Sequence, residues 1–443
     1  MSELVAFAGV RGSGSWSTDE RPKNYREVIL YLYPNGMMPL TALLSMLPNE
    51  PVNDPEYTWW TKTVPDQRSS LVEGAVFTDT GLSSVAQWDY DTAGNNDFGT
   101  NEVVYIDLGT DYAAQLKKYR VGHIVMLRDA SDYRRDVRCK VTALGATYLT
   151  CKVLKEYKGE STETVALDNT YDVVLIVGNV NEENALRPAS ISYDPIKLSN
   201  YTQITRTALA LSRTARQTKL RTGDAYARMK KEALELHGME REKNFIWGVP
   251  TENTGTNGLP ERTTAGLVYF IKTQAPANVV DFAVDNAGST WAQAGESWFD
   301  EKLELFFRYG SGDKLCLCGS GALLGIQRLI KGRAGSQFQF NVATGSYGIK
   351  IIQWVTPFGT VNFKTHPLFS FEATDRYSML FLETKNIMTR TIQDTIFKAD
   401  KSETESTGTG RDGKEEEFLT EDGLELHHPE TFGMMYNVGV DAN

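Results

Sequence analysis

The chain has 443 residues, 41% of them hydrophobic and 23% charged, with a net charge of −11. That length supports two or three domains with their own cores, and the acidic balance argues against general affinity for nucleic acid. No apolar run approaches the roughly 18 residues a membrane-crossing helix needs, and the opening MSELVAFAGVRGSG lacks the basic start of a secretory signal, so none is expected.

Residues 1–68 read as an extended arm. Pro22, Pro34, Pro39, Pro48, Pro51, Pro55 and Pro65 recur too often for long regular elements. Only residues 40–47 look helical, with Pro39 at a favourable first position. Glu56 to Trp60 (EYTWW) places two tryptophans in an otherwise irregular region, and these need a covering surface, such as a neighbouring subunit. Residues 70–200 are β-rich: 103–108, 121–128, 136–143, 148–154 and 172–180 are Val/Ile-rich runs bounded by Gly, Asp and Asn, as in a small antiparallel sheet or barrel with no helix interrupting it. Cys139 and Cys151 are equidistant from Gly145, the expected turn of a hairpin, which places them opposite each other; reduced thiols are the plainer reading.

From Arg206 onward the texture changes. Arg206, Arg213, Arg216, Lys219 and Arg221 occur with no acid before Gly223. Asp224 is a good N-cap for a helix reaching Trp247, ended by Gly248 and Pro250. At 1.5 Å per residue this helix is about 35 Å long. Tyr226, Met229, Ala233 and Leu236 give it a narrow apolar stripe, and the remaining charged positions, Glu240, Arg241, Glu242 and Lys243 among them, read as solvated. It lies along a surface or forms half of a coiled coil, although heptads are not sustained. Residues 251–294 are loop-rich, with a strand expected at 267–271. Residues 297–309 form an amphipathic helix, 314–318 a buried strand, 320–330 a helix and 379–384 a further strand: a compact α/β domain. Within it, Ile349 to Leu368 (IKIIQWVTPFGTVNFKTHPL) reads as a β-hairpin. Val361, Phe363 and Thr365 alternate with Thr360, Asn362 and Lys364, and Pro357 and Gly359 suit the turn. Residues 401–417 are polar and acidic and read as a mobile loop, followed by strand-like 424–426 and 433–438.

Chemistry is sparse. Cys318-Gly319-Ser320-Gly321 followed by Gly325 resembles a dinucleotide turn, but the glycine spacing is wrong by one. No Asp or Glu occurs from Lys314 through Phe371 to hold a ribose. The five histidines, His123, His237, His366, His427 and His428, read as structural; the adjacent His427 and His428 point to opposite sides of a strand and cannot readily share a metal. No nucleophile elbow, zinc helix or working carboxylate pair is evident, so catalytic, cofactor-binding and metal-binding residues are each expected to be none. The basic stretches 206–221 and Lys314, Arg328, Lys331, Arg333, Lys350 and Lys364 contrast with residues 400–425, where ten acids stand against three bases. Pairing between subunits or phosphate contact are the functional readings, and solvated faces the plain one.

Three stretches, in order, resemble the major capsid proteins of tailed bacteriophages: PLTALLSMLPNE with EYTWWTK; TQITRTALALSRTARQTKLRTGDAYARMKKEALELHGMEREKNFIWG; and IIQWVTPFGTVNFKTHPLF. The resemblance implies an α+β Johnson fold. Residues 1–68 would be the N-terminal arm, 69–203 an extended loop carrying a β-rich insertion, and 204–294 a peripheral domain with spine helix 224–247. Residues 295–395 would be the axial domain, and 396–443 an acidic loop and C-terminal strands. It also implies hexamers and pentamers closing an icosahedral shell around double-stranded DNA, with portal, scaffolding and decoration partners, in a virion assembled in the host cytoplasm. No long helical segment precedes the arm, so a scaffold would be a separate protein or already removed. An encapsulin-like shell, another phage structural protein, a glycine-loop oxidoreductase and a DNA-binding protein are the rival readings.

Overall fold

The computed structural model describes residues 39–45, 48–65, 67–70, 76–77, 79–83, 87–88, 103–109, 112–129, 136–156, 165–166, 171–184, 186–220, 223–332, 341–344, 350–399 and 413–441. They belong to two units, Met1–Thr61 with Ile196–Asn443, and Lys62–Pro195. The first unit opens with helix α1 (Pro39–Leu44) and strands β1 (Asn49–Pro51) and β2 (Glu56–Thr61). The region holding the two tryptophans is thus a regular strand. Its pleat buries Tyr57, Trp59 and Thr61 and leaves Trp60 63% exposed, so one tryptophan is covered by the chain itself.

The second unit contains β3 (Arg68–Ser70), β4 (Val76–Phe77), β5 (Gln87–Trp88), β6 (Val103–Asp107), α2 (Tyr112–Leu116), β7 (His123–Asp129), β8 (Asp136–Leu144), β9 (Tyr148–Glu156), β10 (Val165–Ala166) and β11 (Tyr171–Asn179). Seven strands form one antiparallel sheet in the order β3-β11-β7-β8-β9-β6-β4, and β5 pairs with β10. The outermost strands β3 and β4 are neighbours in sequence, separated by five residues. A flat seven-stranded sheet would hold them about 29 Å apart, whereas the link reaches only about 20 Å, so the sheet curls toward closure. One core fills it, from Val104, Ile106, Val125, Val141, Val153 and Val174. The short helix α2 was not expected; its Tyr112 hydroxyl ties the turn by donating to the carbonyls of Gly145 (2.7 Å) and Tyr148 (2.9 Å). Cys139 and Cys151 do not face each other. The hairpin turns beyond Gly145, with Leu144 opposite Leu149, so Cys139 pairs with Val153 and Val141 with Cys151; an extra residue between Val141 and Ala143 shifts the register by one without bringing the cysteines together. Both are free and buried; burial pushes the Cys139 thiol up to about 12 and Cys151 well above its usual range.

The chain returns to the first unit with β12 (Ile196–Tyr201), β13 (Gln203–Ser212), α3 (Arg213–Gln217), α4 (Ala225–Trp247), β14 (Thr251–Thr254), β15 (Pro260–Thr263) and α5 (Leu267–Gln274). Residues 267–271, expected as a strand, form helix α5, in which Leu267, Val268, Phe270 and Ile271 are buried. A five-residue apolar run does not distinguish the two states, and burial decides. Next come β16 (Val279–Asp281), α6 (Phe282–Asp285), α7 (Trp291–Phe307), β17 (Asp313–Cys318) and α8 (Ser320–Gly332). Helix α7 starts six residues before the expected Ser297, at a capping box of Thr290 and Gln293. The chain ends with β18 (Asn341–Thr344), β19 (Lys350–Thr356), β20 (Gly359–Thr365), α9 (Pro367–Phe371), β21 (Met379–Leu382), β22 (Ile387–Lys398), β23 (Gly413–Leu426) and β24 (Gly433–Tyr436). Residues 401–412 of the expected acidic loop lie outside the described residues; Lys414 to Glu417 belong to β23.

The expected hairpin is β19–β20, closed by Pro357 and Phe358 with Thr356 opposite Gly359. Val361 and Phe363 are buried. Any side chain on Gly359 would meet the Gly312 carbonyl at 2.4 Å, so packing as well as the turn demands glycine there. The hairpin belongs to a mixed sheet, β16-β24-β21-β17-β20-β19-β18. Both its faces are covered: Cys316 and Cys318 pack with Trp298, Phe299 and Ile326, while Leu317 and Leu382 pack with Leu267 and Phe270. Burial on two faces explains the unbroken apolar runs LCLC and MLFL. The glycines after β17 are packing devices. A Cβ on Gly319 would strike the Arg376 carbonyl, one on Gly321 the Tyr377 ring, and one on Gly325 the Gly439 Cα; the space a phosphate would need is taken by chain.

Lys314, counted among the basic stretch, is in fact buried at the start of β17. Its ammonium donates to the carbonyls of Thr431 (2.6 Å) and Tyr309 (3.2 Å) and lies 3.8 Å from Glu383. Burial pulls it down from the usual 10.5 to about 8, against the opposing pull of Glu383. Between these values the unfolded chain holds more protons than the folded one, so the contribution of Lys314 to stability improves as pH rises. Comparing urea unfolding of wild type and Lys314→Met, wild type should gain by about 2 kcal/mol from pH 8 to 10; a flat difference would show a hydrated ammonium. A thiol reagent should label essentially none of the four cysteines in the native protein and all four in denaturant, because each is buried.

Candidate functional site: where the arm meets the long helix

Helix α4 is capped as expected. The Asp224 side chain accepts from the Tyr226 N–H, and Gly248 ends it. Its buried face, however, is rotated from the Tyr226–Met229–Ala233–Leu236 stripe. Leu234 and Leu236 are 48% and 50% exposed, while Ala233 and His237 are buried. The helix lies on the sheet β1-β22-β23-β13, and its contacts there are largely polar. The Tyr226 hydroxyl donates to Glu416 (2.5 Å). His237 sits between the hydroxyls of Thr207 (3.1 Å) and Thr420 (2.7 Å). Arg241 pairs with Asp422 through two nitrogens, and the Lys230 ammonium stacks 3.5 Å over the Phe397 ring. Burial, then the Arg241 charge, lowers the pKa of His237, which favours the neutral ring. The sheet presents hydroxyls and carboxylates here, and the helix turns its polar side to satisfy them.

At its C-terminal end α4 becomes buried through Glu242, Phe245 and Ile246. The Glu242 carboxylate is fully buried. It accepts the N–H of Leu40 (2.8 Å), the N–H of Thr41 (2.6 Å), the Thr41 hydroxyl, and Nε2 of His366 (2.8 Å). His366 Nδ1 accepts the Leu368 N–H (3.2 Å), which leaves Nε2 as the protonated nitrogen. One carboxylate thus caps the free amides opening α1 and joins the arm, the long helix and the end of the β19–β20 hairpin. Leu40, Leu43 and Leu44 of α1 pack into the same core as Phe245, Ile246 and Phe369. Downstream, β1 adds to β22 in parallel, and Arg390 bridges Glu50 and Glu425. Strand β2 pairs with β12, and its Tyr57 and Trp59 donate to the carbonyls of Leu424 (2.8 Å) and Leu426 (3.0 Å). Sequence reasoning read Glu242 as solvated. The available signal was its place three and four residues before Phe245 and Ile246, on their side of the helix.

The SU10 major capsid protein family profile matches residues 10–439. The chain belongs to the SU10 major capsid protein family. It is 23% identical over 372 residues to the major capsid protein of Pseudomonas phage PaMx41, covering 83% of this chain and 78% of that one. Among solved structures, it is similar to the capsid of an empty GTA particle (9% identity, TM-score 0.44, 96% of this chain and 97% of that one). It is likewise similar to Mycobacterium phage Bobi (8% identity, TM-score 0.42, 95% and 96%). By that family the capsid protein is a structural protein of a phage capsid, and its described residues mix helices and sheets as an α+β fold does.

Charge complementarity in the capsid protein is largely met within the chain. Arg206, expected to pair between subunits, pairs with Glu417 across β13 and β23. Glu425 is held by Arg390 and by His427 (2.5 Å). His427 is thus used in a hydrogen bond to a carboxylate, and His428 sits at a left-handed turn with φ 48°. Among the described residues no group of three potential metal ligands gathers. Large apolar side chains remain exposed on the first unit: Leu234 and Leu236 on α4, Val355 and Phe358 on the hairpin, and Phe371 at the end of α9. The last of these is 72% exposed, and such groups gain by being covered in an assembly.

Replacing Glu242 by Ala should destabilise the subunit by about 3–5 kcal/mol, since it leaves two buried amides and His366 without their acceptor. The measurement is urea unfolding, paired with limited proteolysis, which should cut at α1 in Glu242→Ala before it cuts in wild type. Unchanged stability and cleavage would show that the arm is not held here.

Proposed function

We propose that this capsid protein assembles as hexamers and pentamers into an icosahedral shell enclosing double-stranded DNA. Residues 1–68 act as the N-terminal arm, 69–203 as an extended loop with a β-rich insertion, 204–294 as the peripheral domain with its spine helix, 295–395 as the axial domain, and 396–443 as the returning strands. The observation that carries this reading is the family match from residue 10 to residue 439, which takes in nearly the whole chain. Binding energy then comes from repetition of one interface under closed symmetry, not from a reaction centre, and the role is not enzymatic. Obligate interfaces bury roughly 2,000–5,000 Å², and exposed Leu234, Leu236, Phe358 and Phe371 suit that use. DNA would be held non-specifically on the inner face, with portal, scaffolding and decoration proteins as partners and the host cytoplasm as the place of assembly.

Electron microscopy of the purified full-length chain should show closed shells; a monomer that stays monodisperse at high concentration would overturn the reading. Removing residues 1–49 is too blunt a test of the arm, because Leu40, Leu43 and Leu44 belong to the core. Deletion of residues 1–38 spares α1 and should leave thermal stability within about 0.5 kcal/mol of wild type while reducing shell closure. Wild-type shells from that truncation would remove the arm from assembly.

A further inference from the structure

Strand β13 ends its sheet, whose order is β1-β22-β23-β13, and it pairs along its whole length with β23. The opposite side of the sheet fixes which of its backbone groups look outward. The Thr389 N–H donates to the Pro48 carbonyl, and the Thr391 carbonyl accepts from the Val52 N–H, so these residues of β22 turn toward β1. Met388 and Arg390 between them turn toward Glu425 and Gly423 of β23. Bonded and non-bonded pairs alternate along an antiparallel ladder. Asp422, Thr420, Phe418, Glu416 and Lys414 therefore turn toward β13 and bond Gln203, Thr205, Thr207, Leu209 and Leu211. The N–H and C=O groups of Ile204, Arg206, Ala208 and Ala210 point off the sheet, and among the described residues no backbone partner meets them.

A free edge of ten residues is normally blunted by proline, charge, a bulge or a covering segment. Strand β13 (QITRTALALS) contains no proline, its register with β23 is unbroken, and its one charge, Arg206, is paired with Glu417. Helix α4 adds a second observation. Its Glu240 accepts from the Thr207 hydroxyl of β13 (3.3 Å), whereas its Lys230 and Arg241 lie against Phe397 and Thr395 of β22. The side of α4 that bears Glu240 is thus the side toward the open edge. Leu236 and Met229, four and eleven residues before Glu240, share that side. Leu236 is exposed and Met229 only half-buried, so apolar side chains stand over a row of unpaired backbone groups.

We infer that β13 pairs antiparallel with β13 of a second copy across a local twofold axis at Thr207, joining two four-stranded sheets into one. In this register Ile204 lies opposite Ala210 and Arg206 opposite Ala208, so every outward N–H and C=O of both strands finds a partner. A slip of two residues would instead set Arg206 against Arg206, which like-charge repulsion disfavours. The strand is its own complement, and this selects a second copy as the occupant. The contact is isologous and closes at two copies, with Met229 and Leu236 of each α4 beside the added strand. The inference rests on the capsid reading, whose shells supply the copies, and it names one contact between them.

The test is cross-linking in shells of the full chain. Thr207→Cys places a thiol on the axis, in a non-bonded pair whose Cα atoms lie about 4.5 Å apart, within the span of a disulfide. Oxidised shells of this variant, denatured without reductant, should run as covalent dimers on a gel. Wild-type shells should give none, since the four native cysteines are buried. Ala210→Cys is the register control, because its mate lies about 20 Å along the strand, and it should not link. Ala208→Pro removes one outward N–H without touching the β23 ladder. It should lower shell yield about tenfold and leave the unfolding midpoint of the free subunit unchanged. If proline shifts that midpoint, Arg206→Cys with Ala208→Cys, both at exposed positions, takes its place and should again give covalent dimers. Thr207→Cys shells that stay monomeric on the gel overturn the pairing, as they would if any other strand occupied the edge. Equal linking by Ala210→Cys, or wild-type yield from Ala208→Pro, overturns it too. If wild type forms no shells the capsid reading falls, and the oxidised free Thr207→Cys subunit decides the pairing on the same gel.

Discussion

A buried carboxylate has to be satisfied, and most of the first unit is organised around how Glu242 achieves this. Taking an ionised carboxylate out of water costs several kcal/mol unless strong donors replace the lost hydration. Here four donors do so, from Leu40, Thr41 and His366. They come from two places far apart in sequence, and Glu242 itself lies on a third. Seating of α1 and burial of the C-terminal end of α4 therefore support each other through this carboxylate. His366 adds the end of the β19–β20 hairpin to the same point. Each partner therefore makes the other two stable, which is how a short six-residue helix persists at all.

Along the rest of α4 the adhesion is of a different kind. Apolar contact is limited to a small cluster of Leu209, Ala233 and Phe418 with Tyr226 and Phe397 at its edge. The remainder is hydrogen bonds and ion pairs, from Tyr226, His237 and Arg241 to the carboxylates and hydroxyls of β13 and β23. Polar contacts fix direction and register more tightly than apolar ones but contribute less net stability each. The mixed sheet that holds β17 and β20 is built the opposite way, buried on both faces by aromatic and aliphatic side chains. A subunit with one firm sheet and one polar-bonded helix keeps much of its apolar surface, such as Leu236 and Phe371, for contact outside itself.

The second unit leaves and returns at one place, since Thr61 pairs with Ile196 on the β2–β12 ladder. It holds a core of its own, built from Val104, Val125, Val141 and Val174, and acid-rich and base-rich segments alternate along this part of the chain.

Much of the local structure was legible in the chain because it depends on near neighbours. The capped helix from Ala225 to Trp247, the β19–β20 hairpin, the five strands of the β-rich region and the paired burial of Cys316 and Cys318 all follow from period, caps and turns. The family resemblance was likewise carried by ordered local stretches. What sequence could not decide was which face of α4 is buried, whether residues 267–271 are strand or helix, that Trp59 is covered by its own chain, and that Glu242 and Lys314 lie inside. Those outcomes depend on partners far along the chain; Glu242 meets Leu40, 202 positions away, and Trp59 donates to Leu426, 367 positions away. A polar side chain announces only that it needs a partner. Whether that partner is water or Leu40 is settled by tertiary packing, because the cost of burial is recovered only when the donors have been brought together.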